Sequence, residues 1–178
     1  MHSAVIAFWF EEIAPKSWWA ADPAFDQLIR TRFGVLHRQA LQGELFSWRS
    51  TPLGRLAEII VLDQFSRNMH RGTPSAFAHD AMALVLAQEA VAAGADQALN
   101  PTQRSFMYLP FMHSESTLIH QAAEALYRAL GQDNNLQFEL RHKAIVDRFG
   151  RYPHRNAMLG RESSAEEIEF LTQPGSSF

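Results

Sequence analysis

The sequence contains no cysteine, which excludes disulfide bonds, zinc-binding thiolates and cysteine nucleophiles. It also has no run of about 18 apolar residues, so no membrane-spanning segment is expected. The amino terminus is apolar, but it lacks a basic leader and Glu11 and Glu12 interrupt it at once, which argues against a secretory signal peptide. We therefore expect a cytoplasmic protein that does not act in a membrane.

Familiar catalytic motifs are missing as well. The sequence has no glycine-rich phosphate loop and no nucleophile elbow. One Glu139-x-x-His142 pair has the spacing found in carboxylate-bridged di-metal bundles, but such a site needs two copies and further acids. We therefore predict no metal and no cofactor.

The composition indicates a globular protein. Hydrophobic residues make up 47% of the 178 residues, which is enough for a core. No linker, low-complexity run or shift in composition divides the chain, and its length suits one domain. We predict a single domain over residues 1–178.

Helix starts are marked by capping residues followed directly by proline. This pattern occurs at Asp22, Thr51, Thr73 and Asn100. Apolar residues recur at helical spacing between these marks, and no segment alternates as a strand would. We predict about eight helices, at roughly residues 3–13, 22–42, 52–69, 74–93, 101–112, 115–130, 135–149 and 164–172. Short connections favour antiparallel neighbours, so the expected fold is all-α, a stack of antiparallel helical hairpins.

Finer signals mark the fifth and last predicted helices. Asn100 with Gln103 and Ser163 with Glu166 have the spacing of capping boxes, in which two side chains satisfy backbone N–H groups reciprocally. Pro110 falls late in the fifth helix, where it should end or kink that helix.

The net charge of −3 is unevenly distributed. From Arg141 to Arg161, six basic residues face a single acid, Asp147, so this segment carries +5 and the remainder −8. The pattern fits either a basic loop before an acidic helix start or a local anion site. Nucleic acid is not expected as a partner, because the acidic remainder would repel a long phosphate backbone.

Two nine-residue segments resemble each other. Residues 63–71 and 147–155 share five identical positions, and each runs from the end of a predicted helix into a loop. A duplicated helical unit and a chance match are both open explanations.

The aspartates that begin these segments continue apolar helical stripes. We predict that Asp63 and Asp147 are buried and that each contacts an arginine, with Arg67 and Arg151 four residues on. Each pair is either a structural salt bridge at a helix end or an acid that orients an arginine towards a ligand.

A helix junction after Pro110 contains His113, Ser114 and Glu115. His113 and Glu115 could form an acid–base pair, and Ser114 could be a nucleophile. Ser114 is equally an ordinary candidate for a helix N-cap.

Several stretches resemble the bacterial domain-of-unknown-function family 924. They are Asp63–Phe65, Arg71–Pro74, Tyr108–Pro110, His113–Glu115, Arg148–Asn156 and Leu159–Arg161. The resemblance covers nearly the whole chain and implies a tetratricopeptide-like helical fold with these segments as shared positions, but it implies no activity. Ser66 and His70 depart from the family pattern, which usually has proline and an aromatic residue there, so His70 is not expected in a shared mechanism.

The first functional interpretation is a binding protein. Helix stacking would bring the shared segments to one concave end, where arginines and histidines would surround a small anion such as phosphate or a carboxylate. These residues are Arg67, Arg71, Arg104, Arg151, Arg155, Arg161, His113 and His154. We expect a positive charge there that nearby acids offset only in part.

Two alternatives stay open. In the first, the protein is an enzyme in which His113, Glu115 and His154 transfer protons while arginines hold an anionic substrate. In the second, it is a protein-interaction scaffold, the usual role of tetratricopeptide-like stacks. The expected partner is thus a small anionic molecule or a protein.

Overall fold

The computed structural model describes residues 1–177, and within that range the chain is helical with no β-strand. The α-helices are α1 (His2–Ala7), α2 (Pro23–Leu41), α3 (Pro52–Ile60), α4 (Ser66–Met69), α5 (Asp80–Ala92), α6 (Pro101–Met112), α7 (Thr117–Leu130), α8 (Asp133–Phe149) and α9 (Ala165–Leu171). Short 3₁₀ turns occupy Pro15–Trp19, Phe46–Ser50, Pro74–Ala76, Ala95–Ala98 and Pro153–Arg155. The prediction of an all-α fold is confirmed.

Three of the predicted helix starts form as expected. Asp22 and Thr51 accept hydrogen bonds from backbone N–H groups in the first turns of α2 and α3. Asn100 and Gln103 form a complete capping box at the start of α6. In each case proline occupies the first helical position, where the missing N–H leaves no hydrogen bond unmade.

The fourth predicted start is wrong. Thr73 Oγ1 donates to the carbonyl oxygen of His70 at 2.7 Å instead of accepting from a backbone N–H. Pro74–Ala76 therefore forms only a 3₁₀ turn, and α5 begins at Asp80. The carboxylate of Asp80 consequently lies in the first turn of α5, where the helix dipole favours negative charge.

The capping box predicted at the carboxy-terminal helix is displaced by one residue. Ser164 accepts from the backbone N–H of Glu167, and Glu167 accepts from the backbone N–H of Ser164. Ser163 instead accepts from the side-chain amide of Asn156 at 3.0 Å.

Two helical stretches contain a π-helical segment that the sequence did not predict. Phe8–Glu12 follows α1, and Val61–Phe65 joins α3 to α4 without a break in the helical backbone. All five side chains of Val61–Phe65 are buried, including Asp63. π-helical turns are rare and are frequent at functional sites.

The core forms around α3, which packs against α1, α5 and α6. Aromatic side chains fill the space beside it, with Trp9 lying 5.6 Å from Phe65 between ring centres. Helices α6, α7 and α8 pack in succession, and Pro110 is buried in the last turn of α6. A smaller cluster joins Val146, near the end of α8, to Tyr152 in the loop that follows.

None of the helices in residues 1–177 combines the length and the apolar composition needed to cross a membrane. The cytoplasmic location stays a prediction.

Candidate functional site

A cavity of about 350 Å³ lies between the start of α5, the end of α6 and the Pro153–Arg155 turn. Much of its wall is apolar and includes Phe77, Leu84 and Leu159. Its polar lining consists of Asp80, His113, Ser114, Glu115 and Arg155. This volume is at the lower end of the range for small-molecule sites in proteins.

Asp63 is the buried acid behind His113. Its Oδ1 forms an ion pair with Arg67 Nη1 at 2.9 Å and accepts from His113 Nδ1 at 2.7 Å, and its Oδ2 accepts from Gln64 Nε2 at 2.6 Å. Burial alone would raise the pKa of Asp63, but the charge of Arg67 and the contacts from His113 and Gln64 hold that pKa well below its usual range. The predicted burial of Asp63 and its contact with Arg67 are confirmed.

Arg67 joins Asp63 to Asp80. Its Nη1 and Nη2 each donate to one oxygen of the Asp80 carboxylate at 2.9 Å, and Nη1 also donates to the carbonyl oxygen of Asp63 at 3.1 Å. Burial opposes the charge of Arg67, but the two carboxylates outweigh it and raise the pKa of Arg67. The guanidinium of Arg67 is therefore charged and engaged by two acids.

His113 follows α6 as its C-cap residue and lines the cavity. Because the ionised carboxylate of Asp63 can only accept a hydrogen bond, Nδ1 of His113 carries the proton and Nε2 holds a lone pair. Burial and the charge of Arg67 lower the pKa of His113, although Asp63 acts in the opposite direction. The ring is therefore a neutral base at pH 7.

Arg155 supplies the buried positive charge of the cavity wall and is 6% exposed. Its guanidinium carbon lies 4.6 Å from the ring centres of both Phe77 and Tyr152. Nη1 donates one long hydrogen bond of 3.4 Å to Asp80, and within residues 1–177 its buried Nε has no hydrogen-bond partner. Burial and repulsion from Arg67 lower the pKa of Arg155.

Glu115 and Arg161 form a clamp at the edge of the cavity. Arg161 Nη1 and Nη2 donate to the two oxygens of Glu115 at 2.6 and 2.9 Å, and the backbone N–H of Tyr152 donates to Glu115 at 2.7 Å. Burial would raise the pKa of Glu115, but Arg161 and the Tyr152 N–H lower it. Glu115 is thus an ionised structural acid, which does not suit it to be a proton donor.

The charges around the cavity balance, in contrast to the expected excess of positive charge. Three acids, Asp63, Asp80 and Glu115, accompany three arginines, Arg67, Arg155 and Arg161. The expectation failed because Asp80, which the sequence analysis did not consider, accepts hydrogen bonds from two of the arginines.

The prediction for Asp147 is wrong. Its side chain is 43% exposed and pairs with Lys143 at 2.5 Å rather than with an arginine. Arg151 instead donates to both oxygens of Glu167 at 2.7 and 2.8 Å and to the carbonyl oxygen of Glu162. Arg151 therefore fastens α9 to the preceding loop and does not line the cavity.

Two further predicted ligand-binding arginines lie elsewhere. Arg71 forms a bidentate pair with Asp26 at 2.7 and 2.9 Å. Arg104 donates to the carbonyl oxygen of Asp96 from the first turn of α6, roughly 13 Å along the helix axis from His113. The structure does not bring either of them to the cavity.

His154 precedes Arg155 but is not among the cavity-lining residues of the described chain. Its ring lies 5.6 Å from that of Tyr152, and burial and the charge of Arg155 lower its pKa to about 4. Three residues were proposed for proton transfer. His154 does not line the cavity and Glu115 is engaged by Arg161, so His113 is the one that lines the cavity with a ring nitrogen available as a base.

The helix junction is held from behind by a fully buried pair, His120 and Glu139. Nδ1 of His120 lies 2.7 Å from Glu139 Oε1, and its Nε2 donates to the carbonyl oxygen of Ser114 at 2.9 Å. The Tyr152 hydroxyl donates to the carbonyl oxygen of Met112 at 2.5 Å. These bonds fix the backbone on both sides of His113.

Sequence reasoning missed Asp80, Phe77 and Tyr152 as site residues. Asp80 lies inside the helix predicted for residues 74–93, where it has no special role. In the structure it begins α5, because the side chain of Thr73 bonds to the carbonyl oxygen of His70 and does not cap a helix. The contact between Phe77 and the guanidinium of Arg155 joins distant parts of the chain, so the local sequence does not indicate it, although Tyr152 lies close to Arg155 in sequence.

No cluster of three or more metal-binding side chains occurs within residues 1–177. The absence of a metal and a cofactor stays a prediction.

The helix packing and this cavity define an all-α protein with a small pocket at the helix ends. The chain belongs to the family described as bacterial protein of unknown function (DUF924), whose profile matches residues 5–175. The family resemblance is thereby confirmed, whereas the tetratricopeptide-like relationship stays a prediction.

The fold is similar to that of a solved structure, a protein of unknown function from Agrobacterium tumefaciens. That protein is 39% identical, the match covers 96% of each chain, and the TM-score is 0.91. No curated protein matches the chain.

Proposed function

We propose that the protein binds a small organic monocarboxylate in the cavity, with Arg155 as the anchoring residue. The observation that carries this proposal is the state of the Arg155 guanidinium, which is 6% exposed and whose one hydrogen bond to an acid measures 3.4 Å. A buried cation with so little compensation is costly, and a bound carboxylate would supply the missing acceptors.

The geometry of Arg155 favours a planar anion. Phe77 and Tyr152 lie over the guanidinium at 4.6 Å, so its edges, not its faces, remain for hydrogen bonds. The other arginines near the cavity, Arg67 and Arg161, already make bidentate pairs with acids. Of these three arginines, Arg155 is accordingly the one that has N–H groups free to bind a ligand.

The wall chemistry favours a single negative charge with an apolar body. Asp80 and Glu115 line the same cavity and would repel a dianion such as phosphate. Phe77, Leu84 and Leu159 offer apolar surface to the rest of the ligand. This narrows the earlier prediction of phosphate or carboxylate to monocarboxylates. The scaffold alternative stays a prediction.

The test is calorimetric titration of the intact protein with 3-phenylpropionate, acetate and inorganic phosphate. We expect 3-phenylpropionate to bind more tightly than acetate, and phosphate not to bind. Replacing Arg155→Met should weaken binding of 3-phenylpropionate by about 10- to 100-fold, the loss expected for a charge-assisted hydrogen bond.

Arg148→Met is the matched control, because Arg148 is an exposed arginine paired with Glu166 on the surface. Its affinity for 3-phenylpropionate should equal that of the unchanged protein. Equal binding by the Arg155 and Arg148 variants, or no binding of any carboxylate, would overturn the proposal.

A further inference from the structure

The Asp63–His113 pair gives the cavity a hydrogen-bond acceptor of defined orientation. The carboxylate of Asp63 receives Nδ1–H of His113 at 2.7 Å and is itself held by Arg67 and Gln64. The ring edge remote from Asp63 carries Nε2, and His113 is a wall residue of the cavity. The lone pair of Nε2 is therefore available to a molecule in the cavity.

The two carboxylates of the cavity wall already accept hydrogen bonds from arginines. Both oxygens of Asp80 accept hydrogen bonds from Arg67, and Oδ2 also accepts a hydrogen bond from Arg155. Both oxygens of Glu115 receive hydrogen bonds from Arg161. Among the titratable side chains that line the cavity, His113 Nε2 is thus the acceptor with unused capacity, as Arg155 is the donor with unused capacity.

We propose that the ligand is a small carboxylic acid carrying a hydroxyl group, whose carboxylate pairs with Arg155 and whose hydroxyl donates to Nε2 of His113. This inference rests on the proposed function and extends it to the class of ligand. Asp63 is the positioning residue, because its ionised carboxylate holds the proton of His113 on Nδ1. The π-helical segment Val61–Phe65 contains Asp63 and places its carboxylate within hydrogen-bond distance of Nδ1 of His113.

The experiment compares matched pairs of acids in calorimetric titrations of the full chain. The first pair is 3-phenyllactate and 3-phenylpropionate, which differ only by the hydroxyl group. We expect the hydroxy acid to bind the unchanged protein about 3- to 10-fold more tightly, the effect of one additional hydrogen bond.

His113→Phe removes the ring nitrogens and keeps an aromatic ring of similar size. In this variant the two acids should bind with equal affinity, close to that of 3-phenylpropionate for the unchanged protein. Phenylpyruvate, whose 2-oxo group only accepts hydrogen bonds, should bind the unchanged protein no more tightly than 3-phenylpropionate. Tighter binding of phenylpyruvate would show that Nε2 carries the proton and would overturn the role of Asp63 as the positioning residue.

The outcomes separate this inference from the proposed function. Equal binding of the two acids to the unchanged protein, or a hydroxyl preference that survives in His113→Phe, overturns the role of His113. In either case, weaker binding of both acids to Arg155→Met would still support the proposal that Arg155 binds the carboxylate. No binding of either acid to the unchanged protein would overturn both proposals.

Discussion

His113 and Asp63 are 50 residues apart in sequence and joined by a hydrogen bond of 2.7 Å. The carboxylate comes from the middle of a continuous helical stretch, and the imidazole comes from the end of α6. Because the acid is buried and shared with Arg67, this contact ties the position of a cavity residue to the stability of the core.

Replacing Asp63→Ala should be strongly destabilising. The substitution leaves the buried Arg67 with one acid fewer and removes the partner of His113. We expect the free energy of unfolding, measured by urea denaturation, to fall by about 3–5 kcal/mol. Asp147→Ala is the control and should cost under about 0.5 kcal/mol, because that acid forms an exposed pair with Lys143. Similar stabilities of the two variants would contradict this account.

Mild acid should destabilise the protein. Burial is the main cause that lowers the pKa of His37 to about 4, of His142 to about 3 and of His154 to about 4. The unfolded chain binds protons at these residues near pH 6.5, whereas the folded chain does so only near those lower values. Stability is therefore lost as the pH falls from about 6.5 towards 4. The raised pKa of Glu139 opposes this trend, but it is one group against three.

Melting temperatures between pH 7.5 and 5 check this prediction, and we expect a steady decrease below pH 6.5. His142→Gln should make the decrease less steep, because one proton fewer is taken up on unfolding. A melting temperature that is constant over this interval would show that the buried histidines do not control acid stability.

Two helical glycines should respond to alanine in opposite directions. A Cβ at Gly54 would lie 2.0 Å from the backbone oxygen of Trp48, so the start of α3 would have to shift. At Gly34 in α2 the nearest atom is the Arg38 side chain at 4.0 Å, so alanine fits. We expect Gly54→Ala to lower the melting temperature clearly and Gly34→Ala to stabilise by about 0.5–1 kcal/mol. Equal effects of the two changes in thermal unfolding would contradict the packing at Trp48.

The clamp between Glu115 and Arg161 should hold the loop of residues 150–161 in place. Arg161→Met removes the hydrogen bonds to Glu115, to Asn156 and to the carbonyl oxygen of Tyr152. We expect faster amide hydrogen exchange in this loop and a loss of about 1–3 kcal/mol in stability. Arg128→Met, which removes an exposed pair with Glu124, should leave the loop unchanged. Unchanged exchange in the Arg161 variant would show that other contacts hold the loop.

The parts of the fold that could be predicted depend on contacts between residues close together in the sequence. The caps at Asp22, Thr51 and Asn100 act within one helical turn, and so does the contact between Asp63 and Arg67. Each can therefore be inferred from neighbouring letters of the sequence.

The site depends on contacts over longer distances in sequence. Arg161 meets Glu115 across 46 positions, and Arg71 meets Asp26 across 45. Many arginines with many acids allow many such pairings, and only the packed fold selects among them. This is why arginines predicted to share one pocket in fact occupy separate pairs.

The error at Asp147 has a specific cause in α8. The apolar stripe that Asp147 continues in the sequence consists of Leu136, Leu140 and Ala144, yet the buried residues are Glu139, His142, Ile145 and Val146. Glu139 binds His120 and His142 donates to the carbonyl oxygen of Phe138, so polar side chains occupy the core. Hydrophobicity alone therefore pointed to the wrong face.

In the π-helical segment Val61–Phe65, the number of residues matters more than their identity. A π turn holds one residue more than an α turn over nearly the same rise, so deletion of a single residue there would yield a regular α-helix with better backbone geometry. The helix on either side would keep nearly its present orientation, because the π turn already accommodates the extra residue, but side chains within the turn would rotate about the helix axis by less than the roughly 100° that separates successive α-helical residues. Asp63, which lies within the turn, would then shift relative to both His113 and Arg67. The contact of both His113 and Arg67 with the carboxylate of Asp63 thus depends on one extra residue in the π turn. A comparison of substitutions alone would not reveal this dependence.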